Sequence, residues 1–295
     1  MSEMNEEAQE QQVTFPTEVW KERWDMLILV LILYSACAVP FRIGFASDAA
    51  GVVWLFEAGM TVLFLCDVYL SFRTAYYDND EGWVTDRKLI ARRYMRGWFW
   101  IDAPSSFPLE LVELVTDAGS LGMLRFLRTL RLFRLARLLK VDDLINQLTD
   151  SSDIDFGPSA RLIMMIAKLV YFAHFLACFW FGVSLLGEAE GMETTWTREY
   201  DNGRVAEPDA PTDVKYMYSI YWALTTLTTV GYGDITPTND IERVYTTFVL
   251  LSGALVFGFM VSSVGVSLIV GALTRRDTSL MYHGPARVLV HTTSC

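Results

Sequence analysis

Apolar residues in this chain of 295 residues are gathered into long runs, not dispersed at the intervals of a soluble core. Each run approaches or exceeds the ~20 residues that a helix needs to cross a bilayer. The pattern predicts membrane-spanning helices over residues 24–45, 52–76, 97–115, 121–141, 159–186 and 241–273, with a half-length helix over 214–227 before the last. Pro104 and Pro108 should bend the third span. Residues 1–21 are polar, acidic and glutamine-rich, and read as a disordered tail. The expected fold class is an all-α membrane protein with six transmembrane helices. It comprises a four-helix unit over 22–141, a connector over 142–158, a two-helix unit with a re-entrant helix over 159–273, and a short tail over 274–295.

Charge placement orients these spans. Arg87, Lys88, Arg92, Arg93 and Arg96 crowd the loop after the second span and mark it as cytoplasmic. Lys21 and Arg23 put the amino terminus on that side, and Arg275 and Arg276 after the sixth span return the carboxyl terminus to it. The acidic start is unlike a cleavable signal peptide, so the first span serves as its own insertion signal. An integral protein of the plasma membrane with both termini cytoplasmic is expected.

Composition adds mainly exclusions. The chain is 52% apolar, and its formal net charge of −11 sits largely in tails and loops, where solvation accounts for it. Cys37, Cys66 and Cys178 lie inside apolar runs and Cys295 is the last residue, with no disulfide or metal spacing. His174, His283 and His291 make no ligand set, and His174 reads as a hydrogen-bonded core residue. No nucleophile–base arrangement is present, so an enzyme reading has no support. The lipid bilayer is the expected partner, with no nucleic acid and no small-molecule substrate.

The span over 121–141 differs from the others. Arg125, Arg128, Arg131, Arg134, Arg137 and Lys140 recur at every third position, separated by apolar residues and Thr129. Charge at mid-span costs on the order of a few kcal/mol per residue, so these positions point to function. An α-helix turns ~100° per residue, so a step of three leaves each charge ~60° behind the last. A helix lying flat on a membrane or on nucleic acid needs its bases on one face, which this stripe does not give. A helix sliding past a fixed gate presents them one at a time, and in 3₁₀ geometry they form a straight ladder. These six residues are therefore read as voltage-sensing. Glu57, Asp67 and Asp102 in neighbouring spans are the candidate counter-charges, because an isolated carboxylate there would be as costly as an isolated arginine. Phe64, one turn before Asp67, is the candidate charge-transfer aromatic between inner and outer aqueous crevices; ordinary packing is its other reading.

Residues 228–234 read Thr-Thr-Val-Gly-Tyr-Gly-Asp. A dehydrated cation needs a cage of oxygens, and successive backbone carbonyls supply one only if they share a side. Gly231 and Gly233 ease that demand by accepting positive φ. Thr229, Val230, Gly231, Tyr232 and Gly233 are the candidate ion selectivity filter, with Val230 and Tyr232 bracing from behind. Tyr221, Trp222, Thr228 and Asp234 are read as its support. One chain supplies one strand and a closed cage needs four, implying a homotetramer or a heterotetramer with related subunits. No cofactor is implied beyond the permeant K⁺. Eight acids lie between Gly187 and Asp213, either concentrating cations at the outer mouth or merely solvated. Gly253 and Gly258 are candidate gating hinges, with close helix packing as the alternative.

The order of spans, the ladder and the Thr-Val-Gly-Tyr-Gly run together resemble a voltage-gated potassium channel subunit. Lys21–Asp25, Cys66–Thr74, Ile101–Pro108 and His174–Trp180 resemble the branch holding the ether-à-go-go, cyclic-nucleotide-gated and plant inward-rectifying channels. The similarity covers about residues 21–273. It implies that Asp67 and Asp102 pair with the ladder and that an inner gate lies near the end of the last span. That branch usually carries a nucleotide-binding domain after the last span. Residues 274–295 are too few to fold one, so nucleotide regulation is not carried over. A weakly selective cation channel and a non-conducting regulatory subunit are the alternatives. The ladder does not fix gating polarity, which depends on coupling through 142–157.

Overall fold

Among the described residues, four of the long apolar runs fold as helices long and apolar enough to cross a membrane. The computed structural model describes residues 13–107, 131–141 and 158–283, apart from Asp48, Asn79, Glu81 and Pro208, and for 131, 158–161 and 267–283 it describes backbone alone. The chain divides into two compact units, residues 1–154 and 155–295.

In the first unit α1 (Val19–Gly44) and α2 (Val52–Ser71) are long and apolar enough to cross a membrane. At ~1.5 Å per residue, the 26 residues of α1 reach ~39 Å. It starts earlier than the apolar pattern predicts, because Lys21 and Asp25 form a buried i,i+4 ion pair in its first turns. The two helices meet through Ile28, Leu31, Ile32, Met60 and Phe64, against which Leu138 and Val141 also pack.

The all-α expectation needs one correction. The second span was expected to reach residue 76, but α2 stops at Ser71 and the chain turns into an antiparallel hairpin, β1 (Tyr76–Asp78) with β2 (Gly82–Val84). Tyr76, Tyr77, Trp83 and Val84 suit a half-buried pleated surface, and the polar run between them ends at Gly82, with φ 78°. The amino-terminal segment joins this hairpin. Thr14 donates its amide to the Arg73 carbonyl at 2.9 Å and its carbonyl accepts from Ala75 at 2.9 Å. Val13, Ala75 and Ile90 bury a small cluster, with Phe15 edge-on to Trp83 at 5.6 Å. From Val13 onward, then, the expected disordered tail has a fixed place.

Helix α3 (Arg87–Arg96) is capped by Asp86, whose carboxylate accepts from the Lys88 amide at 2.8 Å. Ile90 and Tyr94, four apart, face inward while Arg92, Arg93 and Arg96 face out. Gly97 ends α3, so the predicted third span opens with a turn and continues as the short α4 (Phe99–Ser105), with Pro104 in its last turn. Pro108 and the rest of that span, together with 121–130 of the next, lie outside the described residues. Arg131–Lys140 then form a 3₁₀ helix packed on α1 and α4.

The second unit holds α5 (Pro158–Ala189), the single-turn α6 (Trp196–Glu199), α7 (Thr212–Leu227) and α8 (Asp240–His283). Helices α5 and α8 each contain a stretch apolar enough to cross a membrane. Its centre is an aromatic stack. Trp180 lies against Trp222 at 3.9 Å and 9°, against Trp196 at 5.5 Å and 13°, and beside Tyr245 at 6.1 Å. Tyr245 donates to the Leu176 carbonyl at 2.8 Å, fixing α8 on α5. Elsewhere the helices leave large apolar side chains outward, Leu255 and Phe259 at about three-quarters exposure, as lipid or neighbouring apolar surface permits.

Candidate functional site

In a 3₁₀ helix residues three apart eclipse, each ~6 Å beyond the last, so Arg134, Arg137 and Lys140 stand in one file. Arg134 donates from Nη2 to Thr61 Oγ1 at 3.3 Å. The Arg137 guanidinium lies over the Phe64 ring, its Cζ 3.6 Å from the centroid. Its Nε donates to Ser105 Oγ at 2.7 Å, and Nη2 donates to Ser106 Oγ and to the Asp102 carbonyl at 3.4 Å. Lys140 forms an ion pair with Asp102, whose Oδ2 also accepts the Tyr94 hydroxyl at 2.6 Å. Arg134, Arg137 and Asp102 are each 3% exposed and Phe64 is 1% exposed. Charge so deeply placed persists only where rings, hydroxyls and carboxylates replace water; the desolvated cation–π contact alone contributes ~2 kcal/mol. Burial, and next the hydrogen bond to Asp102, push the Tyr94 phenol far above its ordinary value.

The expected counter-charges divide. Asp102 meets the file directly. Asp67 accepts Trp24 Nε1 at 3.0 Å and lines a cavity of about 680 Å³ together with Asp25, Asp102, Arg137 and Lys140. Trp24 thus ties α1 to a carboxylate of α2. Glu57 meets a cation outside the file: its partner is Arg42, Nη2 to Oε1 at 2.8 Å, with the Tyr34 hydroxyl donating to the same oxygen at 3.3 Å. The reason is topological. Helices α1 and α2 are joined by residues 45–51, so the end of one lies beside the start of the other. Arg125 and Arg128 lie outside the described residues, and Arg131 is placed by its backbone, at the head of the 3₁₀ helix.

In the second unit, α7 delivers the chain to residues 228–234. The Thr225 carbonyl accepts the amides of Val230 at 2.9 Å and Gly231 at 3.1 Å, folding the loop back on the helix end. Gly231 has φ 54° and Gly233 φ 76°, the left-handed backbone for which glycine suits them. Thr229 also has positive φ, 61°, a strained state for a β-branched residue that the sequence did not announce. Tyr221 donates to Asp234 Oδ2 at 2.8 Å and stacks on Tyr232 at 6.5 Å and 8°. Trp222 instead enters the Trp180 stack, so the two aromatics read as filter support serve different contacts. Thr228 donates to the Leu224 carbonyl at 2.7 Å. Val230 and Tyr232 are exposed on the single chain.

Sequence reasoning overlooked Glu242. It is fully buried and accepts the Trp196 amide at 3.0 Å and the Thr238 amide at 2.8 Å, tying α6 and the segment after residue 234 to the start of α8. The signal was present as Asn239-x-x-Glu242, an N-cap followed three residues later by glutamate, and Asn239 Oδ1 does accept the Glu242 amide at 3.0 Å. His174 bonds the Tyr216 hydroxyl at 2.8 Å. At Gly253 an added Cβ would meet Leu227 at 3.2 Å, the close-packing arrangement, whereas Gly258 has open space around it.

The ion transport protein family matches residues 21–270. Among curated proteins, the chain is 28% identical over 268 residues to the human voltage-gated delayed rectifier potassium channel KCNH5, a match covering 83% of this chain and 26% of that protein. It is 28% identical over 295 residues to the potassium voltage-gated channel unc-103 of Caenorhabditis elegans, covering 91% and 33%. It is 27% identical over 289 residues to the mouse voltage-gated inwardly rectifying potassium channel KCNH7, covering 91% and 23%. The chain spans about a quarter to a third of the length of these relatives. With the family's match running through both units and with helices fit to cross a bilayer, this chain is an integral membrane protein and belongs to the ion transport protein family.

Proposed function

We propose that the chain is a subunit of a voltage-gated, potassium-selective channel, with residues 22–141 as the voltage sensor and 159–273 as the pore unit. One observation carries this reading: a file of cations, with Arg134 and Arg137 buried and Arg137 over the Phe64 ring, occurs in the same chain as Thr-Val-Gly-Tyr-Gly with positive φ at both glycines. The relatives' names, voltage-gated potassium channels all, support it. Six spans with α7 re-entering from the outer side bring both termini to the cytoplasm. Four copies, identical or related, close the carbonyl cage around K⁺ in the plasma membrane.

Depolarisation drives the file outward. Each guanidinium leaves the inner crevice beside Asp67 and Asp102, crosses the Phe64 ring and enters the outer crevice. One charge crossing 100 mV is worth ~2.3 kcal/mol, so ~3 charges in each of four sensors supply tens of kcal/mol to a gate. The test is voltage clamp in asymmetric potassium. A reversal potential tracking the potassium gradient, and a shallower voltage dependence in Arg134→Gln, are expected. A reversal potential indifferent to that gradient favours a weakly selective cation channel. Silence alone with altered currents beside a related subunit favours a regulatory role.

A further inference from the structure

On α2, Glu57, Thr61 and Phe64 follow one another at the four- and three-residue spacing of one helix face, and the last two are in contact with the ladder. Arg137 lies on Phe64 and Arg134 on Thr61. Glu57 stands four residues before Thr61, ~6 Å along an α-helix, and one three-residue step of a 3₁₀ helix is also ~6 Å. The two pitches match. A single outward step of the file therefore carries Arg134 from Thr61 to the level of Glu57. That place is taken. Arg42, on the last turn of α1, holds Glu57 Oε1 at 2.8 Å, with side chains 12% and 7% exposed, and Tyr34 donates to the same oxygen at 3.3 Å.

We propose that Arg42 is a positioning residue for gating: a fixed cation that competes with the travelling arginines for Glu57 and so sets the voltage at which the sensor moves. The inference rests on the voltage-sensor reading above. Arg42 belongs to a helix whose Trp24–Asp67 contact ties it to α2 at the other end, so it does not travel with the file. While it occupies Glu57, an arriving guanidinium meets a neutralised carboxylate and a like charge in a poorly screened place. Removing it leaves a buried carboxylate in need of a cation, which the file supplies by moving outward.

The experiment measures charge–voltage curves of the full chain by voltage clamp for Arg42→Gln, Arg42→Lys, Glu57→Gln and the double variant, with Arg134→Gln as the control on the reading itself. For Arg42→Gln, the ratio of outward to inward sensors at the wild-type midpoint voltage should rise about fivefold, the worth of one modest ion pair. The slope should be unchanged, because Arg42 crosses no field. Arg42→Lys, which keeps the charge, should show a smaller change in the same direction. In the Glu57→Gln background the effect of Arg42→Gln should vanish. An Arg42→Gln midpoint that stays put or moves to positive voltage, or an effect that persists without the Glu57 charge, overturns the competition. If Arg42→Gln fails to reach the membrane, the Arg42→Lys midpoint in the presence and absence of the Glu57 charge decides in the same way. A slope unaltered in Arg134→Gln would instead sink the sensor reading, whatever Arg42 does.

Discussion

Asp102→Asn puts the inner end of the sensor to a quantitative test. The substitution keeps the size of the side chain and an acceptor for the Tyr94 hydroxyl, and removes the charge that faces Lys140. Deleting one partner of a buried ion pair costs ~3–5 kcal/mol. Lys140 is 16% exposed and borders the cavity, so water takes up part of that load and ~2 kcal/mol is the expected change. Asp102 attracts the file inward, holding Lys140 here and receiving Arg137 after an inward step, so its loss favours outward positions. With ~3 charges moving per sensor, each worth ~2.3 kcal/mol per 100 mV, the midpoint of the charge–voltage curve shifts by ~30 mV to negative voltage. Gating-current recording measures it directly, and Asp102→Glu should restore most of the shift. A midpoint that does not move, or moves to positive voltage, refutes the assignment of Asp102 as the inner counter-charge.

The other predictions concern separate parts of the molecule. Phe64→Leu removes the face on which Arg137 lies and should weaken the occupied step by ~1–2 kcal/mol, seen as faster sensor relaxation in both directions, with Phe64→Trp slower than wild type. Glu242→Ala leaves the Trp196 and Thr238 amides without their acceptor and should cost ~2–4 kcal/mol, read as a lowered thermal transition of the second unit in detergent. Gly233→Ala places a side chain at φ 76°, a strain of ~1–2 kcal/mol per subunit that four copies multiply, and should abolish preference for potassium over sodium in flux assays. The folded Tyr94 phenol titrates above its unfolded value of 10.0, so the stability tied to it is complete below that pH and is lost as pH rises beyond it. At pH 11 the wild type should be less stable than at pH 9 by this group, a loss absent from Tyr94→Phe in paired thermal melts.

Much of this architecture could be read in advance because hydropathy and charge act one residue at a time. Runs such as 52–71 announce a helix by length alone, and arginines at every third position announce a file once 3₁₀ geometry is allowed. Gly231 and Gly233 were legible because positive φ is written into residue type. What stayed hidden depended on pairing at a distance. No local pattern marks Arg42, and only the antiparallel return of α2 brings Glu57 beside it. The hairpin carried a turn signal at Asp78–Gly82, but the apolar run preceding it drew the second span too far. Trp180, Trp196 and Trp222 lie on separate elements, and their stack exists only once α5, α6 and α7 have met.

The alignment of Arg134, Arg137 and Lys140 makes the sensor resemble a toothed rack. Because the teeth share one azimuth, an advance by one pitch needs no twist of the shaft, and every cation lands where its forerunner stood. On the proposed sensor reading, successive stops are therefore near copies of each other, and the voltage that passes the file from one to the next is set by the wall and not by the identity of the tooth.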